Sequence, residues 1–174
     1  MSCIGGPLLY FMKQLEIKEI VEFDVKVVKA VNLLLSQLVS APMTFSDQAL
    51  RDMLASPSSH LFCAFVEGEI AGMLTLGTYM SPTGVKYWVE DVVVDHACRG
   101  KALGRRLINY AIEYVKKQGK LTLMLTSKPA RVAANHLYQS VGFQTKQTNV
   151  YKMDIENDTL DTFLKKEKNG GSHT

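Results

Sequence analysis

The chain has 174 residues, of which 47% are apolar and 21% charged, with a formal net charge of +3. These values describe one ordinary globular domain, long enough to bury roughly two-thirds of its unfolded surface. They argue against a disordered polymer, a membrane protein and a nucleic-acid binder. The longest apolar runs, such as Val31 to Val39, are interrupted by Asn32, Ser36 and Gln37, and the basic residues lack interleaved aromatics.

Residues 1–11 read as a flexible N-terminal extension, without the basic n-region of a signal peptide, and the fold is expected to occupy 12–155. Lys13 to Lys18 alternates like a strand. Asp24 to Val39 reads as a helix, capped by Asp24 and buried along Val27, Val28, Val31, Leu34, Leu35 and Leu38. Ser46 to Leu54 is a second helix with Ser46 at its N-cap. His60 to Val66 and Ile70 to Met80 form a hairpin through Glu67-Gly68-Glu69, and Val85 to Val94 follows the turn at 81–84.

After Val94 the chain turns through Asp95 to Leu103 and becomes a long amphipathic helix that Gly119 ends. Thr122 to Thr126 is the next strand, Ala130 to Val141 the last core helix, and Thr148 to Met153 a final strand. Residues 156–174 hold a short amphipathic helix and a disordered tail. Two helices, a strand meander and a late strand–helix–strand–helix crossover make an α+β order.

The turn itself carries chemistry. Gly100, Ala102 and Gly104 let another group approach the backbone, and the first amides of the helix lack intrahelical partners. Arg99, Lys101, Arg105 and Arg106 add charge around that positive helix end. A phosphate is the natural guest; a glycine-bearing turn with a solvated basic face is the other reading. The spacing meets neither the P-loop nor the dinucleotide fingerprint.

Arg99-x-x-Ala102-x-Gly104 after a strand resembles the [RQ]-x-x-G-x-[GA] motif of the GNAT superfamily of N-acetyltransferases, with Ala102 in place of glycine. Ala134-x-x-Leu137-Tyr138-x-x-x-Gly142-Phe143 is similar to the family's A-x-x-L-Y-x-x-x-G-F block, and Arg131 stands where that family has asparagine. The resemblance implies an α/β sandwich with a mixed, mostly antiparallel sheet of about seven strands and about four helices. It also implies that the fourth and fifth strands splay, with the pantetheine of acetyl-coenzyme A in the gap. The cofactor contacts it implies are Val92, Val93, Val94, Arg99, Gly100, Lys101, Ala102, Leu103, Gly104, Arg105, Arg131, Asn135 and Tyr138.

Acetyl transfer to an amine needs a neutral amine, a stabilised oxyanion and a protonated leaving thiolate. The family uses the tyrosine of its L-Y pair as the acid, here Tyr138, whose phenol with a pKa near ~10 stays protonated at neutral pH. The backbone amide of Val92 or Val93 is the expected oxyanion donor. Glu90 is the preferred base, with Asp91 or a water as alternatives; strand alternation places Glu90 on one face with Val92 and Val94, and Asp91 with Val93. His96, His136 and Cys98 are weaker candidates.

The expected reaction is direct attack by a small-molecule or peptide primary amine in a ternary complex, with no metal, nucleic acid or membrane partner. The alternative is a non-catalytic acyl-coenzyme A sensor or scaffold. The acceptor is expected between the first helices, the 81–84 turn and the edge near Asn149-Val150-Tyr151. Cys3, Cys63 and Cys98 are odd in number and scattered, which fits a cytoplasmic location. A monomer and a homodimer both suit the fold.

Overall fold

The computed structural model describes residues 15–119 and 121–154. Two compact units divide the chain, the first ending at Gln144 and the second beginning at Thr145.

The first unit holds a five-stranded sheet in the order β1 to β5, formed by Leu15–Glu19, Ser59–Val66, Glu69–Ser81, Gly84–Val94 and Thr122–Leu125. Neighbours from β1 to β4 are antiparallel, and β5 joins β4 in parallel. The crossover helix α3 (Leu103–Lys116) makes that parallel pairing possible. The other helices are α1 (Val25–Leu38), α2 (Asp47–Ala55) and α4 (Val132–Ser140). The class expected from the sequence holds, with five strands in place of about seven among the described residues.

Capping residues set the helix starts. Asp24 accepts from the Lys26 N–H at 2.8 Å, and Ser46 from the Ala49 N–H at 3.1 Å. Each contact is worth about 1 kcal/mol. Between α1 and α2, the half-buried Asn32 donates to the Phe45 carbonyl and accepts from the Phe45 N–H, at 2.8 and 2.9 Å. One amide thereby clamps the whole interhelical loop.

Two apolar layers sandwich the sheet. On one face, α1 and α2 bring Val27, Val31, Leu34 and Leu50 onto Leu61, Met73 and Val93. On the other, α3 brings Leu103, Leu107, Ile108, Ala111 and Val115 onto Phe62, Leu74, Leu76, Tyr87 and Val89. Leu50, Phe62, Leu74, Leu76, Leu107 and Ile108 are fully buried, each contributing about 1.5–3 kcal/mol of transfer free energy.

The two core clusters reveal a break in β4. Thr75 pairs with Glu90 and Met73 with Val93, so Leu74 lies opposite both Asp91 and Val92. This is a β-bulge, and Asp91 adopts φ 51° within it. The extra residue inverts alternation. Tyr87 and Val89 face α3, and beyond the bulge Val92 and Val94 face α3 while Val93 faces α1. The expectation that Glu90 shares a face with Val92 and Val94 is therefore corrected. Glu90 lies on the α1 face with Val93, because paired residues share a face.

The second unit is irregular over 145–154, with a Lys152–Asp154 ion pair at 2.7 Å and no helix or strand among its described residues. The strand expected at Thr148 to Met153 is absent there: alternation supplies a suitable face, but a strand requires a ladder partner. The N-terminal extension and the C-terminal helix and tail lie outside the described residues.

Candidate active site

Pairing between β4 and β5 ends at Val89 and Leu125, whereas β4 runs on to Val94. The stretch from Glu90 onward therefore leaves β5, which is the expected splay. Ser127, two residues beyond the end of β5, has a buried hydroxyl without a hydrogen-bond partner among the described residues. A buried polar atom of this kind asks for a ligand or water. No motif in the sequence marks Ser127; only the burial of its hydroxyl singles it out.

At the end of β4, Asp95 opens a 3-10 turn over His96–Cys98 and accepts from the Ala97 N–H at 2.8 Å. That bond, followed by one from Gln37, holds the Asp95 carboxyl below the usual carboxylate range. Gln37 on α1 donates to Asp95 Oδ2 at 3.3 Å and accepts from the His96 N–H at 3.0 Å. It ties α1 to the basic turn, a role carried by a polar residue that interrupts an apolar run and was noted only for that interruption.

Gly100 and Ala102 are both left-handed, at φ 75° and 59°. This explains why a glycine suits position 102: an L residue there is strained. Ala102 precedes α3 without a side-chain cap, and the first turn of α3 holds no acidic residue. Main-chain bonding starts with the Arg106 N–H to the Ala102 carbonyl at 3.1 Å. The N–H groups of Leu103, Gly104 and Arg105 accordingly crown a positive helix end.

Of the cations around it, Arg99 folds back to donate to the Val94 carbonyl at 3.1 Å, and Arg105 donates to Ser140 Oγ at 2.8 Å. Arg105 thus links α3 to α4. Lys101 is exposed on the same turn.

Three elements converge at Gly104. A methyl placed there would meet Leu137 Cδ2 at 3.3 Å and Val94 Cγ2 at 3.7 Å. The glycine therefore lets α4 and the end of β4 close on the start of α3. Tyr138, the neighbour of Leu137, is half-buried against the same core layer and meets Phe143 edge-on at 6.1 Å. Burial pushes its phenol above the usual value, and the Arg131 guanidinium partly offsets that. Arg131 also donates to the Leu38 carbonyl at 3.4 Å, a cation at the negative end of α1. The Asn135 amide donates to the carbonyls of Lys128 and Pro129, holding the loop before α4.

Glu90 is the first β4 residue past the last β5 pair and reaches solvent. Partial desolvation, then the neighbouring Asp91, raises its carboxyl pKa; desolvation raises that of Asp91. Glu90 and Tyr138 belong to opposite faces of the sheet. His96 and His136 are exposed, and Cys98 is half-buried. Among the described residues no group of three or more potential ligands gathers to hold a metal ion, and no helix is long and apolar enough to cross a membrane.

The profile described as the Acetyltransferase (GNAT) family matches residues 30–143, from within α1 through the end of α4. The chain belongs to the GNAT acetyltransferase family. Its sequence is 32% identical to the L-methionine sulfoximine/L-methionine sulfone acetyltransferase of Salmonella typhimurium over 77 residues, 44% of this chain and 45% of that protein. The aligned part thus spans about half the length of this curated relative. The fold is similar to the aminoglycoside acetyltransferase meta-AAC0020 from an uncultured soil metagenomic sample, solved with sisomicin, at a TM-score of 0.76 and 16% identity over 84% of this chain and 99% of that one. It is also similar to AAC(6')-Iy bound to the bisubstrate analog CoA-S-monomethyl-acetylneamine, at a TM-score of 0.67 and 14% identity, covering 81% and 98%. In GNAT terms the Arg99–Gly104 turn, the β4–β5 splay and α4 are the parts brought together here.

Proposed function

We propose that this GNAT protein transfers an acetyl group from acetyl-coenzyme A to a primary amine by direct attack in a ternary complex. One observation carries the reading: the uncapped start of α3, the end of β4 beyond its β5 ladder and the helix bearing Tyr138 close on one another at Gly104.

The residues present suit the cofactor. The α3 amides, with Arg99, Lys101 and Arg105 around them, match a pyrophosphate. The β5-facing edge of β4 beyond Val89, which has no β5 partner, and the orphaned Ser127 hydroxyl match an amide-rich arm. The relative solved with a coenzyme A bisubstrate analog holds that ligand on the same fold. Bound acetyl-coenzyme A supplies an acyl group activated as a thioester.

The rest of the chemistry belongs to side chains. Glu90, on the solvent side of the splay, takes the proton of the incoming ammonium directly or through water, and its raised pKa moves it toward the range of a useful base. Tyr138, whose phenol stays protonated at neutral pH, would give its proton to the departing thiolate. The backbone N–H of Val92, in the bulge that interrupts the β3–β4 register, would serve as the donor to developing negative charge.

Isothermal titration with acetyl-coenzyme A, followed by thiol release over a panel of amines, tests the proposal. Binding with thiol release supports it. Binding without release from any amine turns the reading to an acyl-coenzyme A sensor, and no binding overturns both.

A further inference from the structure

The sheet face that carries Glu90 continues away from α1 as a small apolar shelf. Register places Thr75, Gly77 and Tyr79 of β3 beside Glu90, Trp88 and Lys86 of β4, and Trp88 beside Met124 of β5, all on one face. Trp88 and Met124 are half-buried, yet neither core cluster includes them among the described residues. Gly77 leaves the space beside the indole open, since a methyl there would find only the Trp88 carbonyl, at 4.0 Å.

Charge runs along the shelf in one direction. Glu90 stands at the splay end. At the far end Lys86 Nζ is held by Ser81 and Thr83 and lies 5.7 Å from the centre of the Tyr79 ring. An ammonium is drawn to the first end, and a second ammonium is repelled from the other. Trp88 lies two residues from Glu90 on the same face, about 7 Å along the strand.

We infer that the acceptor is a monoamine whose flat apolar group, a short linker away from the nitrogen, lies on Trp88 and Met124, so that Trp88 and Gly77 determine specificity. The inference rests on the acetyl-transfer reading. Stacking on an indole and contact with a thioether favour an aromatic ring over a saturated chain of equal reach.

Trp88 is the only tryptophan of the chain, so indole emission reports this shelf alone. The test titrates the full-length protein with 2-phenylethylamine, propylamine and spermidine, reading emission and kcat/KM for thiol release. A saturable emission change with 2-phenylethylamine and a kcat/KM at least tenfold above propylamine and spermidine are expected. Gly77→Val, which fills the open side, should abolish the emission change, and Trp88→Ala should bring the kcat/KM ratio near one through KM. A melting temperature close to that of the unaltered protein shows that Gly77→Val has folded; if it has not, the smaller Gly77→Ala replaces it.

Equal turnover of the three amines without a saturable emission change overturns the inference and leaves acetyl transfer standing. Absence of turnover with every amine overturns the acetyl-transfer reading instead. In that event the emission titration still decides the shelf: saturation supports a binding site there, and a flat titration refutes it.

Discussion

Replacing Ala102 with glycine should stabilise the protein, although glycine before a helix usually weakens a fold. Ala102 sits at φ 59° and ψ 16°, a left-handed conformation that costs an L residue about 1–2 kcal/mol. Glycine removes that cost and loses about 0.4–1 kcal/mol through the greater freedom of its unfolded chain. The balance is a gain of about 0.5–1 kcal/mol, or a melting temperature higher by roughly 1–4 °C for a domain of this size. Ala102 makes no side-chain cap contact that the substitution would remove. Urea unfolding should show a higher midpoint with an unchanged slope, which separates native stability from a change in the unfolded state. Ala102→Val should move the other way by more than 1 kcal/mol, since a β-branched residue tolerates this region least. A destabilising Ala102→Gly would refute the strain and, with it, the backbone path assigned to the basic turn.

Four further outcomes follow from the same geometry. Tyr138→Phe should lower turnover roughly 10²-fold while leaving acetyl-coenzyme A affinity nearly intact in a titration; unchanged turnover removes Tyr138 as the acid. Asp91→Asn should raise stability at pH 7. The folded carboxyl has a raised pKa, so its favourable contribution is complete below the unfolded value near ~3.9 and is lost as pH rises through the folded one. The advantage of Asp91→Asn should therefore vanish when melting is repeated near pH 3. Asn32→Ala should destabilise by roughly 2 kcal/mol, because the Phe45 N–H and carbonyl lose their partner; hydrogen exchange at Phe45 should rise with it. Gly104→Val should cost about 1–3 kcal/mol from overpacking against Leu137 and Val94, seen in chemical unfolding without any ligand; unaltered stability would place its effect in cofactor binding alone.

The parts of the fold legible in the sequence are those with a local physical signature. Asp24 and Ser46 announce helix starts because a short oxygen-bearing side chain caps free amides, and both do so in the structure. The apolar spacing of α1 and α3 gives their buried faces directly. The backbone freedom of the basic turn is legible from its small residues, and its left-handed Gly100 and Ala102 agree with that, whereas the packing role of Gly104 is not: nothing at position 104 indicates that Leu137 stands 3.3 Å from where its methyl would be. Thr148 to Met153 shows the opposite failure. Its alternation is strand-like, but pairing is a property of two segments and leaves no trace in one. Gln37 and Ser127 escaped for a related reason, since their significance lies in partners gained or lacking across the fold.

The bulge at Asp91 is the feature that local pattern conceals most, and the site depends on it. Tyr87 and Val89 must face α3 to complete the core there. In a strictly alternating strand Val93 would follow them, and Val94 would face α1. The α1 layer would then lose the side chain that packs with Val31 and Leu34, and Gly104 would lose the Val94 contact that closes the turn onto the strand. One extra residue reverses both. It also separates Glu90, held on the open α1 face, from Val92 and Val94 on the face where Tyr138 packs. Under the proposed mechanism the base and the acid would then approach from opposite faces of the sheet while both apolar layers remain filled. Asp91 suits the extra position because aspartate tolerates the left-handed backbone better than most residues. Deleting Asp91 should leave Val92 and Val94 on the α3 face and Val93 on the α1 face, because Glu90 to Val94 would then alternate regularly opposite Thr75 to Gly72. Both apolar layers stay filled, so the melting temperature should stay near that of the unaltered protein while acetyl-coenzyme A binding, which the proposed function places at the bulge, weakens. A collapse of stability would refute the assignment of faces.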